Sequence, residues 1–413
     1  MPTPSTVRAT EQRPAAPATL RAEVLRTPAQ WSDASVVAAW TELCRRYSGL
    51  EVLFQSPEWF AHLGQVEPEA GRRVIVVRDQ TGAIVALGAL AEEQTRLGLD
   101  IGAHTLGAFH FRSLALLGGQ PLAPPDRAVL AVFLAALVDE LADDQCLLMP
   151  RLAQGGLFHR VAESIGGEGR FFTYAPAIAG GGLIHSLALR STFAAYEREH
   201  FSGKQRGNMR RRLKSLEREL GSARLRRFSA PDEVAPFLAD ARAVSQASWQ
   251  FATVGPHFER SEDWERKLGD LARRGVLRSY VLYAGERPVA FVLGYQRSDV
   301  FYHVKTGYDR SLSRLAPGIA LLCLVLEELG ETGRPQRVHF MFGDTDYKRD
   351  FADQHVPSDE LMLLPRTLGN VVRCRVHADF RAAVTFARDR IRRLAPLKRA
   401  AARPAPPLTV RPL

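Results

Sequence analysis

Two short stretches carry residue types that can do chemistry. The first is Gly343-Asp344-Thr345-Asp346-Tyr347-Lys348, directly after the apolar run Val338 to Phe342. Such a run reads as a buried strand, and in α/β folds ligands collect at the carboxyl ends of strands. Lys348 can stabilise a developing oxyanion there, or hold an anionic group. Asp344 can accept a proton from a nucleophile or orient it, and Tyr347 can protonate a departing thiolate. A solvated turn uses the same residue types, so spacing alone leaves both readings open.

The second stretch is Leu315-Ala316-Pro317-Gly318-Ile319-Ala320, which opens an apolar helical pattern running to Leu329. A helix N-terminus carries unpaired N–H groups and partial positive charge, and it can cradle a pyrophosphate. Pro317 suits a first helical position because it has no N–H to waste. Gly318 permits close approach of a ligand, Ile319 follows it, and Ala320 keeps the next turn slim. Arg310 and Arg314, in the loop before it, are placed to meet phosphates. A Pro-Gly start also serves an ordinary core helix, and the pattern does not choose between the two.

These stretches need a scaffold, and the sequence contains one twice. Val74 to Arg78, a turn at Asp79 to Gly82 and Ile84 to Leu90 read as a hairpin. Strand Ser113 to Leu117, helix Ala128 to Leu141 and strand Cys146 to Met149 follow. The order returns with hairpin Leu277 to Tyr283 and Val289 to Tyr295, strand Val300 to Lys305, helix Ile319 to Leu329 and strand Val338 to Phe342. The spacing predicts an α/β fold of two similar halves. Upstream, helical spacing from Trp31 to Tyr47 precedes a helix capped by Ser56 with Pro57 in its first turn.

Between the repeats, Ser202 and Gln205 have capping-box spacing, and Met209, Leu213, Leu216 and Leu220 form one apolar stripe. Its other faces bear Lys204, Arg206, Arg210, Arg211, Arg212, Lys214 and Arg218, making an amphipathic basic helix. The expected organisation is a disordered leader at 1–20, one unit at 21–190, a second at 191–365 and a basic helical or disordered tail at 366–413. A solvated basic end accounts for the tail equally well. Trp249 and Trp264 read as packing anchors. His303 is a possible base or a satisfied core histidine, and His339 alternates with apolar neighbours as a structural residue would.

Net charge is +10, which favours anionic partners: nucleic acid, anionic lipid or a phosphorylated small molecule such as coenzyme A. No apolar run reaches the roughly 18 residues of a membrane span, and no signal-peptide core opens the chain, so a cytoplasmic protein is expected. Cys44, Cys146, Cys323 and Cys374 lack CxxC spacing and read as buried thiols; the histidines form no HxxxH pair, and no metal is expected.

Taken together and in order, Phe54-Gln55-Ser56-Pro57-Glu58-Trp59-Phe60, Lys204 to Leu213, Ala316-Pro317-Gly318 and Gly343 to Lys348 resemble the CelD/BcsL-type branch of the GNAT acetyltransferases. That branch is related to the FemAB-like peptidoglycan transferases. The resemblance spans about residues 30 to 365. It implies two tandem GNAT-like units with mixed sheets flanked by helices, the first degenerate and the second catalytic. It further implies acetyl-CoA or a longer acyl-CoA as donor, with the pyrophosphate at Pro317–Ala320. The general GNAT phosphate loop reads Gln/Arg-x-x-Gly-x-Gly/Ala; here Leu315 holds the leading position, with Arg314 one residue early. At the matching place the first half has Pro124-Pro125-Asp126, whose acid would repel a pyrophosphate.

The implied reaction is acyl transfer to an amine or hydroxyl, with a saccharide or cell-envelope precursor as the family's acceptor class. Lys204, Arg206, Arg211 and Arg212 would bind substrate or dock an acidic acyl carrier protein. Two alternatives stand beside it: a FemAB-like transferase using aminoacyl-tRNA, and a non-catalytic module of exopolysaccharide or cellulose biosynthesis.

Overall fold

The computed structural model describes residues 19–101, 104–167, 169–176, 182–189, 192–247, 258, 261–332 and 335–401. β1 (Arg21–Leu25), β2 (Arg72–Arg78), β3 (Ile84–Ile101) and β4 (His104–Leu116) are successively antiparallel. The β2–β3 turn is closed by Asp79, whose carboxylate accepts from Thr81 N at 2.8 Å and Ala83 N at 3.1 Å. Helix Arg127–Asp139 then crosses the sheet to β5 (Gln145–Ala153), parallel to β4, as a parallel pair requires. β6 (Phe171–Tyr174) and β7 (Leu183–Ala188) follow.

The order then recurs. β8 (Ala223–Phe228), β9 (Ser279–Ala284), β10 (Arg287–Arg297) and β11 (Val300–Tyr308) are again successively antiparallel. Helix Pro317–Glu331 leads to β12 (Arg337–Phe342), parallel to β11. The two-unit α/β architecture expected from the spacing is therefore present.

The halves are not separate sheets. β13 (Gln354–Pro365) pairs with β7 through its first residues and with β5 through later ones, giving the order β1-β2-β3-β4-β5-β13-β7-β12-β11-β10-β9-β8, with β6 beside β13. β7, which precedes the expected boundary at 190, pairs with β12 of the second half; β13, beyond it, continues into the first. β1, β6, β7, β8 and β13 are additions to the sequence reading. So is the long arm in which β3 and β4 pair out to Ile101 and His104.

Short residue stretches fasten the halves further. Val52, Leu53 and Phe54 pack in the second half's core with Phe237 and Tyr302, while Trp40 and Phe60 lie in the first half's core. The Tyr302 hydroxyl donates to Leu50 O at 2.9 Å and accepts from Leu53 N at 3.0 Å. Buried Glu51 meets Arg151 of β5 at 3.2 Å and His339 of β12 at 3.1 Å. Burial alone would raise its carboxyl pKa; the Arg151 charge and the His339 contact outweigh that and hold it below the usual value. Because His339 Nδ1 accepts from Met341 N at 3.0 Å, the ring proton sits on Nε2 and points at Glu51.

The basic helix (Gly203–Leu220) has its Ser202 capping box, with Leu216 buried and Met209, Leu213 and Leu220 packed against the same core. The tail helix extends over Leu368–Ala401, starting well before Phe380. Trp264 packs edge-on to Phe258 at 5.0 Å as an anchor; Trp249, most of the leader and residues 402–413 lie outside the described residues. No helix among the described residues is long and apolar enough to cross a membrane.

Replacing Tyr302 with Phe leaves Leu50 O and Leu53 N without their buried partner. The expected cost is about 2 kcal/mol, read as a fall of a few degrees in the calorimetric unfolding midpoint. An unchanged midpoint would show that this seam does not contribute to stability.

Candidate active site

The parallel pairing of β11 with β12 lasts for three pairs, Val300–Arg337, Phe301–Val338 and Tyr302–His339. Beyond them the strands part. Met341 adopts φ 59°, a left-handed conformation that branched or bulky residues rarely take, and the β12–β7 register slips between His339 and Phe342. Between the diverging strands lies a cavity of about 670 Å³. One wall is β11 from His303 to Tyr308; the opposite side is Met341, Phe342 and the turn Thr345–Lys348; Ala316, Gly318, Ile319 and Leu322 close one end. This volume is that of a small-molecule or cofactor site.

That end is a bare helix terminus. Helix Pro317–Glu331 begins at Ala316, which has φ 50° and ψ 53° and offers no side-chain cap. The corresponding helix of the first half is capped by its own Asp126, whose carboxylate accepts from Ala128 N at 2.7 Å and Val129 N at 3.4 Å. One repeat thus supplies its helix with an internal anion, whereas the other leaves the positive end of the dipole facing a cavity. Gly318 lies close to a wall: a Cβ there would meet Tyr308 Cδ1 at 3.2 Å.

The opposite side carries the titratable groups. Burial lowers the Lys348 ammonium to about 8, with Asp344 acting in the other direction. Its Nζ donates to Phe342 O at 3.0 Å. Burial and the Lys348 charge push His303 down to about 4, so its imidazole is neutral near pH 7. Burial raises the Tyr347 phenol, which keeps its proton. Its ring stands 5.9 Å from His303, and His303 is 5.8 Å from Phe340. Behind Lys348, Asp344 forms an ion pair with Arg349 and lies 3.2 Å from His185 Nε2, and His185 Nδ1 is 2.7 Å from His355 Nδ1. Burial, then His355, lowers the His185 pKa.

Among the residues expected to do chemistry, Tyr347 and Lys348 line the cavity, and Asp344 stands just behind. Gly318 and Ile319 line it too; Pro317 is buried in the first turn, and Ala320 faces the core. Arg310 and Arg314 are exposed and outside the lining. Arg314 holds Glu219 of the basic helix in a two-pronged ion pair, and Leu315, at the leading position of the loop, is buried in the core. Lys204, Arg211 and Arg212 are exposed on the basic helix, which packs beside the pocket helix through Met209 and Cys323. Arg206 instead donates to Arg198 O at 3.3 Å and to Phe201 O, closing the preceding helix.

Lys305, Thr306 and Ser313 also line the cavity, and His185 and His355 back it, although the sequence reading assigned none of them. The two histidines sit on β7 and β13; the apolar run Leu183 to Ala188 was the available signal for the first strand. The cysteines are free, and burial raises Cys146 to about 11 and Cys44, Cys323 and Cys374 to about 12, far from thiolate chemistry. Among the described residues no cluster of three or more His, Cys, Asp or Glu could hold a metal ion.

Residues 203–349 match the Acetyltransferase (GNAT) domain family, a span that runs from the start of the basic helix to just past Lys348. The fold is similar to that of FemX, with a TM-score of 0.58 at 8% identity over 86% of this chain and 100% of that one. Also similar are a tandem GNAT protein from the clavulanic acid biosynthesis pathway (TM-score 0.47, 14% identity, 84% of this chain and 98% of that one) and L-PGS from Bacillus licheniformis (0.44, 17%, 77% and 91%). No curated protein matches the chain. The similarity to the GNAT domain thus lies in the second half, within an α/β fold of two similar halves.

The Lys348 shift has a stability consequence with a definite sign. Its folded value of about 8 lies below the unfolded 10.5, so between them the unfolded chain binds more protons. Stability therefore rises with pH across that window and is lost as pH falls through the folded value. Urea denaturation of the wild type from pH 7.5 to 10.5 should show the rise, and Lys348→Met should abolish it. A parallel rise in both proteins would place the titrating group elsewhere.

Proposed function

We propose that the second half transfers an acetyl or longer acyl group from acyl-CoA to an amine or hydroxyl acceptor. The observation that carries this reading is the uncapped helix terminus opening into the gap between β11 and β12. A pyrophosphate would sit on the N–H groups around Gly318 and Ile319, and the thioester arm would run between the strands toward Tyr347 and Lys348. The acceptor attacks the thioester carbonyl, forming the new C–N or C–O bond, and gives up its proton to water or a nearby group. Protonated Lys348 stabilises the oxyanion, and the C–S bond breaks as the thiolate takes a proton from Tyr347 or water. Asp344 holds Lys348 in its charged form. The first half, whose matching helix is capped by Asp126, serves structure or acceptor binding; resemblance to the CelD/BcsL-type branch supports a saccharide or cell-envelope acceptor.

A second reading concerns delivery. Exposed Arg211 and Arg212 beside the pocket helix favour a thioester carried on an acidic acyl carrier protein, or an acyl group on tRNA, reaching the same cavity.

Acetyl-CoA and longer acyl-CoAs should raise the thermal midpoint of the wild type, and Gly318→Asp should lose that protection. An acidic residue suits a helix first turn, so the variant should fold; Gly318→Ala controls for bulk against Tyr308. Protection that survives Gly318→Asp would remove the donor from this helix. Turnover should also fall as pH rises through about 8, the value of Lys348, and Lys348→Met should be slow and lack that limb. An unchanged limb in the variant would assign the titration to another group. Arg211→Glu with Arg212→Glu should weaken carrier-dependent turnover far more than CoA-dependent turnover; equal losses would end the carrier reading.

A further inference from the structure

A second cavity, of about 320 Å³, lies at the other end of β11, where β10 turns into it. Four arginines line it: Arg227, Arg274, Arg278 and Arg297. Among the described residues no Asp or Glu lines it. The carboxylates that balance the arginines stand behind them. Glu328 takes both Arg227 at 3.1 Å and Arg278 at 2.6 Å. Asp270 takes Arg274 at 2.7 Å and also meets His62 at 2.7 Å. Glu58, from the Phe54–Phe60 stretch, takes Arg297 at 2.7 Å. Among the described residues these three carboxylates serve the four cavity arginines, and Asp270 also meets His62 and, at 3.9 Å, Arg273. Asp299, next in sequence to the cavity, pairs with Arg337 at 2.9 Å. Arg297 Nε is buried with no hydrogen-bond partner among the described residues. Glu58 Oε2, the other oxygen of its ion-pair partner, is buried and unpaired as well.

We propose that this cavity binds a small phosphate-bearing molecule, separately from the donor site. Guanidinium forks match the oxygens of a phosphate in pairs, and a dianion neutralises the excess charge that the three carboxylates leave. The volume lies at the lower bound of ligand pockets, which fits a monophosphate and not a dinucleotide-sized cofactor. β11 joins the two sites, since the arginine cavity borders its start and His303 to Tyr308 line the donor cavity. The inference stands whether or not the acyl donor is CoA.

Calorimetric titration of the full chain with inorganic phosphate and with glucose 6-phosphate, at low ionic strength and with chloride as the control anion, tests it. The expected result is saturable binding of phosphate compounds that drops at least about tenfold in Arg227→Gln/Arg274→Gln and persists in Gly318→Asp. In that double variant Glu328 keeps Arg278 and Asp270 keeps His62, so the fold has its remaining partners. Should the double variant fail to fold, Arg227→Gln alone, on a half-exposed side chain, should weaken binding several-fold. Equal affinity for the two ligands would identify the phosphate group as the recognised element, and tighter binding of the sugar phosphate a metabolite; both support the site. No binding above chloride, undiminished binding in the arginine variants, or loss in Gly318→Asp would overturn it.

Discussion

The second half depends on the loss of hydrogen bonding between two parallel strands. After Tyr302 and His339, β11 and β12 stop pairing, and the backbone at Met341 takes a left-handed turn that a side chain disfavours. Unpaired strands inside a sheet are costly, so something must hold them apart. His339 anchors one side through Glu51, and Tyr302 anchors the other through Leu50 and Leu53. Both anchors reach into the same loop. The gap that results places a bare helix terminus at one end of a cavity and a dry lysine at the opposite side.

That arrangement sets the two repeats apart although they share a topology. In the first half an aspartate occupies the helix terminus that the second half leaves open. A fixed anion and a bound anion compete for the same N–H groups. The first repeat is satisfied from within, and its side of the molecule contributes the loop that props the second repeat open. The strand exchange through β7 and β13 ties the two halves into one sheet, because each half pairs with a strand from the other half's stretch of chain.

The duplicated order of hairpin, strand, helix and strand was legible because each element has a strong period or a clear turn signal. Ser56 and Ser202 announced their helices through side-chain capping, which is a local interaction and so is written locally. Tyr347, Lys348 and Gly318 stand out in the sequence because loops after strands and Pro-Gly helix starts are places where chemistry gathers, and the fold brings all three to one cavity. Arg314 shows the limit: its position in the loop pointed to phosphates, but Glu219 of the basic helix holds it. Nothing within a short window of Arg314 encodes a carboxylate that is distant in sequence.

Local sequence therefore determined the elements, their order and the residue types at the carboxyl ends of the strands, since periodicity and capping act over a few residues. Only the tertiary structure decided which of those residues share a cavity. Lys348 has a depressed pKa because distant segments bury it, and His185 and His355 meet because β7 and β13 cross from opposite halves. Burial and long-range pairing arise between segments far apart in the chain, so no window of sequence contains them.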